Sequence, residues 1–117
     1  MTPHVYGFEP LGGGRFVLRG EVGFRTARAV LEQTRALFGD VPVIKVDLSG
    51  VTETDSAGLA LLIEWVSWAR HAQREIRFFE IPEQMRAIAR ISEVEDLLRA
   101  GERWTGKESE ERQVSGE

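Results

Sequence analysis

The sequence contains no cysteine. Disulfides, iron–sulfur clusters, thiolate zinc sites and cysteine nucleophiles are therefore excluded together, and the composition suits a reducing compartment. Histidine is scarce as well. His4 and His71 stand far apart and neither has a metal-ligating neighbour at helical spacing, so no metal and no cofactor is expected. Basic charge is in deficit, with 15 Lys and Arg against 19 Asp and Glu and a net charge of −4. A domain that neutralises nucleic-acid phosphates carries the opposite balance, so no nucleic-acid partner is expected. Long apolar runs are missing too. The most apolar stretch, residues 57–66, is interrupted by Glu64 and falls far short of the ~20 residues that cross a bilayer, so direct membrane insertion is not expected. Met1-Thr2-Pro3-His4 carries no basic region followed by an apolar run, and no secretory leader is expected from it. Carboxylates are plentiful, but nothing assembles a nucleophile, a base and an oxyanion hole. No catalytic residue is expected, and the chain is read as non-enzymatic.

What the sequence does contain is one domain's worth of regular pattern. The 117 residues leave room for one core. A single domain is expected over residues 1–104, followed by a flexible polar tail over 105–117, with Trp104 packing back onto the domain. Val5-Tyr6-Gly7-Phe8 and Arg15-Phe16-Val17-Leu18-Arg19 are β-prone and flank Gly12-Gly13-Gly14. A hairpin with a glycine turn is the simplest reading, because no helix and no Gly-Lys-Ser/Thr follows to make a phosphate loop. A helix is expected over 24–38, with Phe24, Ala27, Leu31, Thr34 and Phe38 on its stripe and Gly39 ending it. Residues 43–48 are apolar at nearly every position and read as a central strand buried on both faces. A helix from Ser56 to about Gln73, a strand over 76–79, and two short helices complete the chain. The first short helix turns Met85, Ile88 and Ala89 inward. The second opens on Ser92, with Glu95 at capping-box spacing. The sum is an α/β fold of order ββαβαβαα, a mixed sheet of about four strands with four helices.

One segment has chemistry beyond packing. After the strand, Asp47-Leu48-Ser49-Gly50-Val51-Thr52-Glu53 delivers Thr54-Asp55-Ser56-Ala57-Gly58-Leu59 to the start of a helix. Free backbone N–H groups and the positive end of the helix dipole favour an oxygen ligand or a negative charge there. Gly58 lacks a side chain, so another surface can approach its backbone. Two roles are open: Asp55 or Ser56 is the N-cap, or Ser56 is a phosphoacceptor or a contact with a partner.

Asp47-Leu48-Ser49-Gly50-Val51 followed by Thr54-Asp55-Ser56-Ala57-Gly58-Leu59 resembles the signature of STAS domains, a family named for sulfate transporters and anti-sigma-factor antagonists. The element order from about Val5 to Leu98 is similar to that family too. Gly58-Leu59-Ala60-Leu61-Leu62 and the run from Ile81-Pro82-Glu83 to Asp96-Leu97-Leu98 look most like its MlaB-like branch. The resemblance implies a STAS fold and a non-enzymatic subunit of a phospholipid-transport ABC complex that serves lipid asymmetry. Its partners would be an MlaF-like ATPase and, through it, an MlaE-like permease and an MlaD-like protein. The chain would then be cytoplasmic and peripheral at the inner membrane. MlaB-like proteins often have threonine where this chain has Ser56. The serine follows the antagonist pattern, which implies the alternative of an anti-sigma-factor antagonist switched by phosphorylation of Ser56.

The helix that follows has an apolar arc of roughly two-thirds of its circumference at 100° per residue, wider than the ~100° stripe of a surface helix. Leu59, Leu62, Ile63, Val66 and Ala69 form an ordinary core face. The excess runs through Trp65, Leu61, Trp68 and Ala57. Either the two short C-terminal helices cover it, or Leu61, Trp65 and Trp68 form an exposed patch for a partner. The partner-binding set expected from the sequence is therefore Thr54, Asp55, Ser56, Ala57, Gly58, Leu61, Trp65 and Trp68.

Overall fold

A computed structural model describes residues 6–98. His4, Val5, Trp104 and the tail after it lie outside the described residues. Strand β1 (Tyr6–Gly12) and strand β2 (Arg15–Val22) form the expected antiparallel hairpin. Between them Gly13 and Gly14 have φ of 64° and 80°, the left-handed conformation that glycine adopts without cost. The turn also lies against the next strand. The Gly14 carbonyl accepts the Lys45 N–H at 2.9 Å, and a Cβ on Gly14 would come within 2.6 Å of the Val43 carbonyl oxygen.

Helix α1 (Ala27–Phe38) then leads to strand β3 (Val43–Thr54), helix α2 (Ser56–His71), strand β4 (Glu75–Phe79) and helix α3 (Glu83–Ile91). Residues 95–98 begin a further helical segment, so the order is the expected ββαβαβαα. The four strands lie in the order β1-β2-β3-β4, with β3 parallel to both of its neighbours.

Three expectations about the elements need correction. β3 is buried on one face only: Ile44, Val46 and Leu48 are fully enclosed, whereas Val43, Lys45 and Asp47 are half-buried on the other face. Two of those three are charged, so the strand alternates after all, as a sheet with one open face requires. That open face is laced by ion pairs, Arg19 with Glu9 at 2.7 Å and Arg77 with Glu75 at 2.6 Å. The Arg19 guanidinium, through its hydrogen bond and charge, holds the Glu9 carboxyl below the usual carboxylate range. Second, α1 starts at Ala27 rather than at residue 24, and Phe24 is 85% exposed instead of on the core stripe. The preceding turn is closed by the Thr26 and Ala27 N–H groups donating to the Gly23 carbonyl at 3.0 and 2.8 Å, which holds Phe24 outside the helix. Third, Ser92 closes α3, its N–H donating to the Ile88 carbonyl at 2.9 Å, and does not open the next helix. Met85 and Ala89 of α3 are buried as expected, and Ile88 packs half-buried against the core.

The core is an aromatic layer between the sheet and the helices. Trp65, 1% exposed, lies 5.6 Å from Phe38, 6.0 Å from Phe8 and 6.3 Å from Phe78, centroid to centroid. Phe16 stacks on Phe8 at 5.4 Å and meets Phe38 edge-on at 5.2 Å. Such offset and edge-to-face pairs add to the burial of apolar area. The indole N–H of Trp65 cannot reach water, and it donates to the Thr34 hydroxyl at 3.0 Å. That hydroxyl in turn donates to the Leu31 carbonyl at 2.8 Å.

This arrangement also decides the fate of the wide apolar arc on α2. Leu61 and Trp65 are buried, 3% and 1% exposed, so they cannot form a surface patch for a partner. The cover on Trp65 comes from α1, through Thr34 and Phe38. Trp68 is half-buried against Phe38 at 5.4 Å, with the Arg74 guanidinium 5.2 Å from its ring centre. Arg74 itself donates to the Gly39 carbonyl and lies 3.7 Å from Asp40, closing the α2–β4 turn onto the end of α1. A crevice of only ≈ 40 Å³ remains between the two helices.

Replacing Thr34 by valine keeps the shape and removes the acceptor for a buried indole N–H. The expected cost is about 1–3 kcal/mol, measured by urea unfolding with an unchanged slope. Thr34→Ser, which keeps the hydroxyl, should lose less.

Candidate functional site

The segment singled out in the sequence lies where β3 ends and α2 begins. Asp55 is the N-cap, with extended backbone, φ −150° and ψ −166°. Its Oδ1 accepts the N–H groups of Ala57 and Gly58 at 2.9 and 3.2 Å. Its Oδ2 accepts the Phe24 N–H at 3.1 Å, reaching across to the turn between β2 and α1. The Leu59 N–H donates to the Asp55 carbonyl at 3.2 Å. The anion that the helix start favours is therefore supplied by the chain's own carboxylate.

Besides Leu61 and Trp65 farther along α2, the structure turns two more of the residues expected to contact a partner inward. Thr54 is 7% exposed, and its hydroxyl donates to the Val22 carbonyl at 2.8 Å. Gly58 is buried directly beneath it. A Cβ built on Gly58 would overlap both the Thr54 hydroxyl oxygen and the Val22 carbonyl oxygen. The surface that approaches the Gly58 backbone is therefore the chain's own β2, not a partner. The physical reason is the register: Val22 pairs with Thr54 at the end of the parallel β2–β3 ladder, so the first turn of α2 must lie over both strands. Ala57 is half-buried.

Ser56 is different. It is exposed at the first position of α2, and its hydroxyl makes no hydrogen bond to the described residues. Serine chemistry is thus presented on a fixed backbone, one residue from a carboxylate already engaged by three N–H donors. Beside it is a shallow depression of ≈ 190 Å³ lined by Glu21, Gly23, Glu53, Thr54, Asp55 and Gln84. Glu21 and Glu53 are direct neighbours across the β2–β3 ladder, and Arg25 stands 3.7 Å from Glu21. A phosphate on Ser56 would gain from the helix dipole, about 0.3–1 kcal/mol. It would also face the charges of Asp55 and Glu53, so modification would change this surface's charge strongly.

Two residues at the site escaped the sequence reading. Gly23 lies against the N-cap: a Cβ there would come within 2.7 Å of Asp55 Oδ2. Phe24 supplies the third N–H to that carboxylate. The contact spans 31 positions of sequence and leaves no local periodicity. The one usable signal was Thr26, a residue type that favours the boundary of a helix beginning at Ala27. Thr26 is buried, its hydroxyl accepting from the Gly23 N–H and donating to the Glu21 carbonyl, both at 3.0 Å. Of the two histidines, His71 is within the described residues and exposed, its Nδ1 2.9 Å from the Ser67 carbonyl. Among the described residues no group of side chains is arranged to hold a metal ion, and no helix is long and apolar enough to cross a membrane.

A family described as "Mlab, STAS domain" matches residues 12–99. No curated protein matches the sequence. Among solved structures, the anti-sigma factor antagonist SpoIIAA in its unphosphorylated form is similar with a TM-score of 0.61 at 16% identity, over 79% of this chain and 84% of that one. A crystal structure of Mglu is similar with a TM-score of 0.51 at 25% identity, over 67% of this chain but only 20% of that longer chain. The fold expected from the resemblance, a STAS fold, is the fold observed.

Alanine is ordinarily about 1 kcal/mol better than glycine inside a helix. At position 58 the sign is expected to reverse, with Gly58→Ala destabilising by about 1–3 kcal/mol because β2 backbone cannot yield to the new methyl group. Asp55→Ala should cost about 1–2 kcal/mol and speed amide hydrogen exchange at Phe24, Ala57 and Gly58 together. Exchange that quickens only at Ala57 and Gly58 would mean that the carboxylate does not hold the β2–α1 turn.

Proposed function

The chain belongs to the MlaB-type STAS domain family, and on that premise we propose that it is a non-enzymatic subunit docking on the ATPase of a phospholipid-transport ABC complex. The observation that carries this reading is the state of Ser56: exposed, unbonded among the described residues, and fixed at the start of α2 by a complete N-cap. A rigid, small, polar contact point suits a protein interface, because little order must be gained on binding. The ATPase subunit would be MlaF-like, and through it the chain would join an MlaE-like permease and an MlaD-like protein. It would then lie at the cytoplasmic face of the inner membrane through its partner and would stabilise or regulate ATP hydrolysis there.

A second reading draws on the same serine. The chain shares its fold with an anti-sigma factor antagonist, and an exposed hydroxyl at a helix start is open to a kinase. In that case Ser56 is a phosphoacceptor and the added charge switches partner affinity. Docking on the ATPase is placed first because the family match spans residues 12–99, whereas the antagonist is 16% identical and shares the fold alone.

Co-expression of the chain with an MlaF-like ATPase and an MlaE-like permease of the same organism tests the first reading. The three should purify together, and Ser56→Arg should release the chain while its unfolding free energy stays within about 1 kcal/mol of the parent, the scale on which a cation acts at a helix N-terminus. An intact complex with unaltered ATPase rate in that variant would refute the assignment of the site. Stoichiometric phosphorylation of Ser56 by an anti-sigma-factor kinase and ATP, seen as a mass gain of about one phosphate, would favour the second reading.

A further inference from the structure

The turn between β2 and α1 carries an aromatic ring that the fold does not use. Phe24 is 85% exposed, more than Leu11, Phe79 or Ile91, at 52%, 37% and 83%. Its backbone is nevertheless fixed on every side. Its own N–H is held by Asp55 at 3.1 Å. The Gly23 N–H before it donates to the Thr26 hydroxyl at 3.0 Å, and the Gly23 carbonyl takes the Thr26 and Ala27 N–H groups. Thr26, which completes this turn, is 3% exposed.

We propose that Phe24 is the apolar anchor of the interface whose other edge is Ser56, and that it enters an apolar pocket with a basic rim on the ATPase subunit. The proposal rests on the docking reading above and adds to it the part of the surface that the sequence had assigned to the core. The two residues are coupled physically. The same Asp55 carboxylate that caps the helix of Ser56 binds the N–H of Phe24, so the ring and the hydroxyl are presented by one rigid unit. A phenyl ring on a pre-ordered backbone has few degrees of freedom to lose on burial, and buried aromatic anchors carry a large share of interface energy. Charge selects the kind of partner. The depression beside the pair is lined by Glu21, Glu53 and Asp55. Asp55 is engaged by N–H donors and Glu21 is offset by Arg25 at 3.7 Å, while Glu53 is exposed and has no ion pair among the described residues. A lysine or arginine from the partner would complete this edge, and it would also offset the like-charge pairing of Glu21 with Glu53 across the ladder.

The test measures affinity of the full chain for a purified MlaF-like ATPase subunit of the same organism, by titration calorimetry at low and high salt. Phe24→Ala should weaken binding about 30-fold or more with no loss in the urea midpoint, since the ring lies outside the core. Phe24→Leu should recover part of the affinity. Glu53→Lys should weaken binding and reduce its dependence on salt, whereas tighter binding by that variant would overturn the basic rim. If Ser56→Arg abolishes binding and Phe24→Ala binds like the parent, the docking reading stands and the anchor is refuted. If neither variant matters, the docking reading itself fails. If Phe24→Ala changes only the self-association of the isolated chain, seen by sedimentation, the ring serves contacts between copies and the proposal is overturned.

Discussion

The candidate site depends on one close approach, that of the first turn of α2 to the end of β2. With no Cβ at Gly58, the helix settles on the Val22 carbonyl, and the Thr54 hydroxyl bridges the two. Only from that position can Asp55 act in two directions, capping α2 through Ala57 and Gly58 and holding the Phe24 N–H of the β2–α1 turn. The gap at Gly23 belongs to the same constraint, because a side chain there would displace the carboxylate. Two glycines, a threonine and an aspartate thus lock two segments that are distant in sequence. Ser56 is what this lock displays.

Behind it, the aromatic layer sets where α1 and α2 lie on the sheet. Trp65 touches rings contributed by β1, α1 and β4, and its N–H fixes the rotation of α2 against Thr34 of α1. Both helices must hold this registry for the α2 N-terminus to meet β2. A core rich in rings and a site rich in backbone hydrogen bonds are therefore parts of one arrangement. Phe8, Phe16 and Phe38 secure the distance from the hairpin to the helices, and Gly58 sets the distance from helix to sheet at the other end.

Much of the fold was legible from the chain because its signals are local. The triple glycine announced a turn, the 3.6-residue periodicity of residues 24–38 and of the stretch from Ser56 to about Gln73 announced helices, and Ile76 and Phe78 placed β4. The errors came where local pattern and tertiary contact compete. Phe24 sits at helical spacing from Ala27 and Leu31, yet the hydrogen bonds of Gly23 and Thr26 stop the helix short of it. The wide apolar arc of α2 was seen correctly, but the sequence could not tell burial by α1 from exposure to a partner. Trp65 went to the core because Phe38 and Thr34 were there to cover it, and Leu61 is buried as well. Ser92 has a residue type common at helix starts, and the last turn of α3 claims its N–H instead.

The sequence by itself determined the class of the molecule. The absence of cysteine excluded thiol chemistry, the sparse histidines and the acid balance set the expectation against metal and nucleic-acid binding, and residues 47–59 marked the family and the candidate site. These are properties of composition and of near neighbours along the chain, which no packing can undo. Tertiary structure decided which members of that segment face outward. Thr54 and Gly58 turn inward onto β2, Asp55 is consumed by three backbone N–H groups, Ser56 remains at the surface, and Phe24 joins it from another part of the chain. Those outcomes turn on hydrogen bonds and steric contacts between residues some 30 positions apart, and a carboxylate's partner across such a gap is fixed only when the strands have paired and the helix has docked.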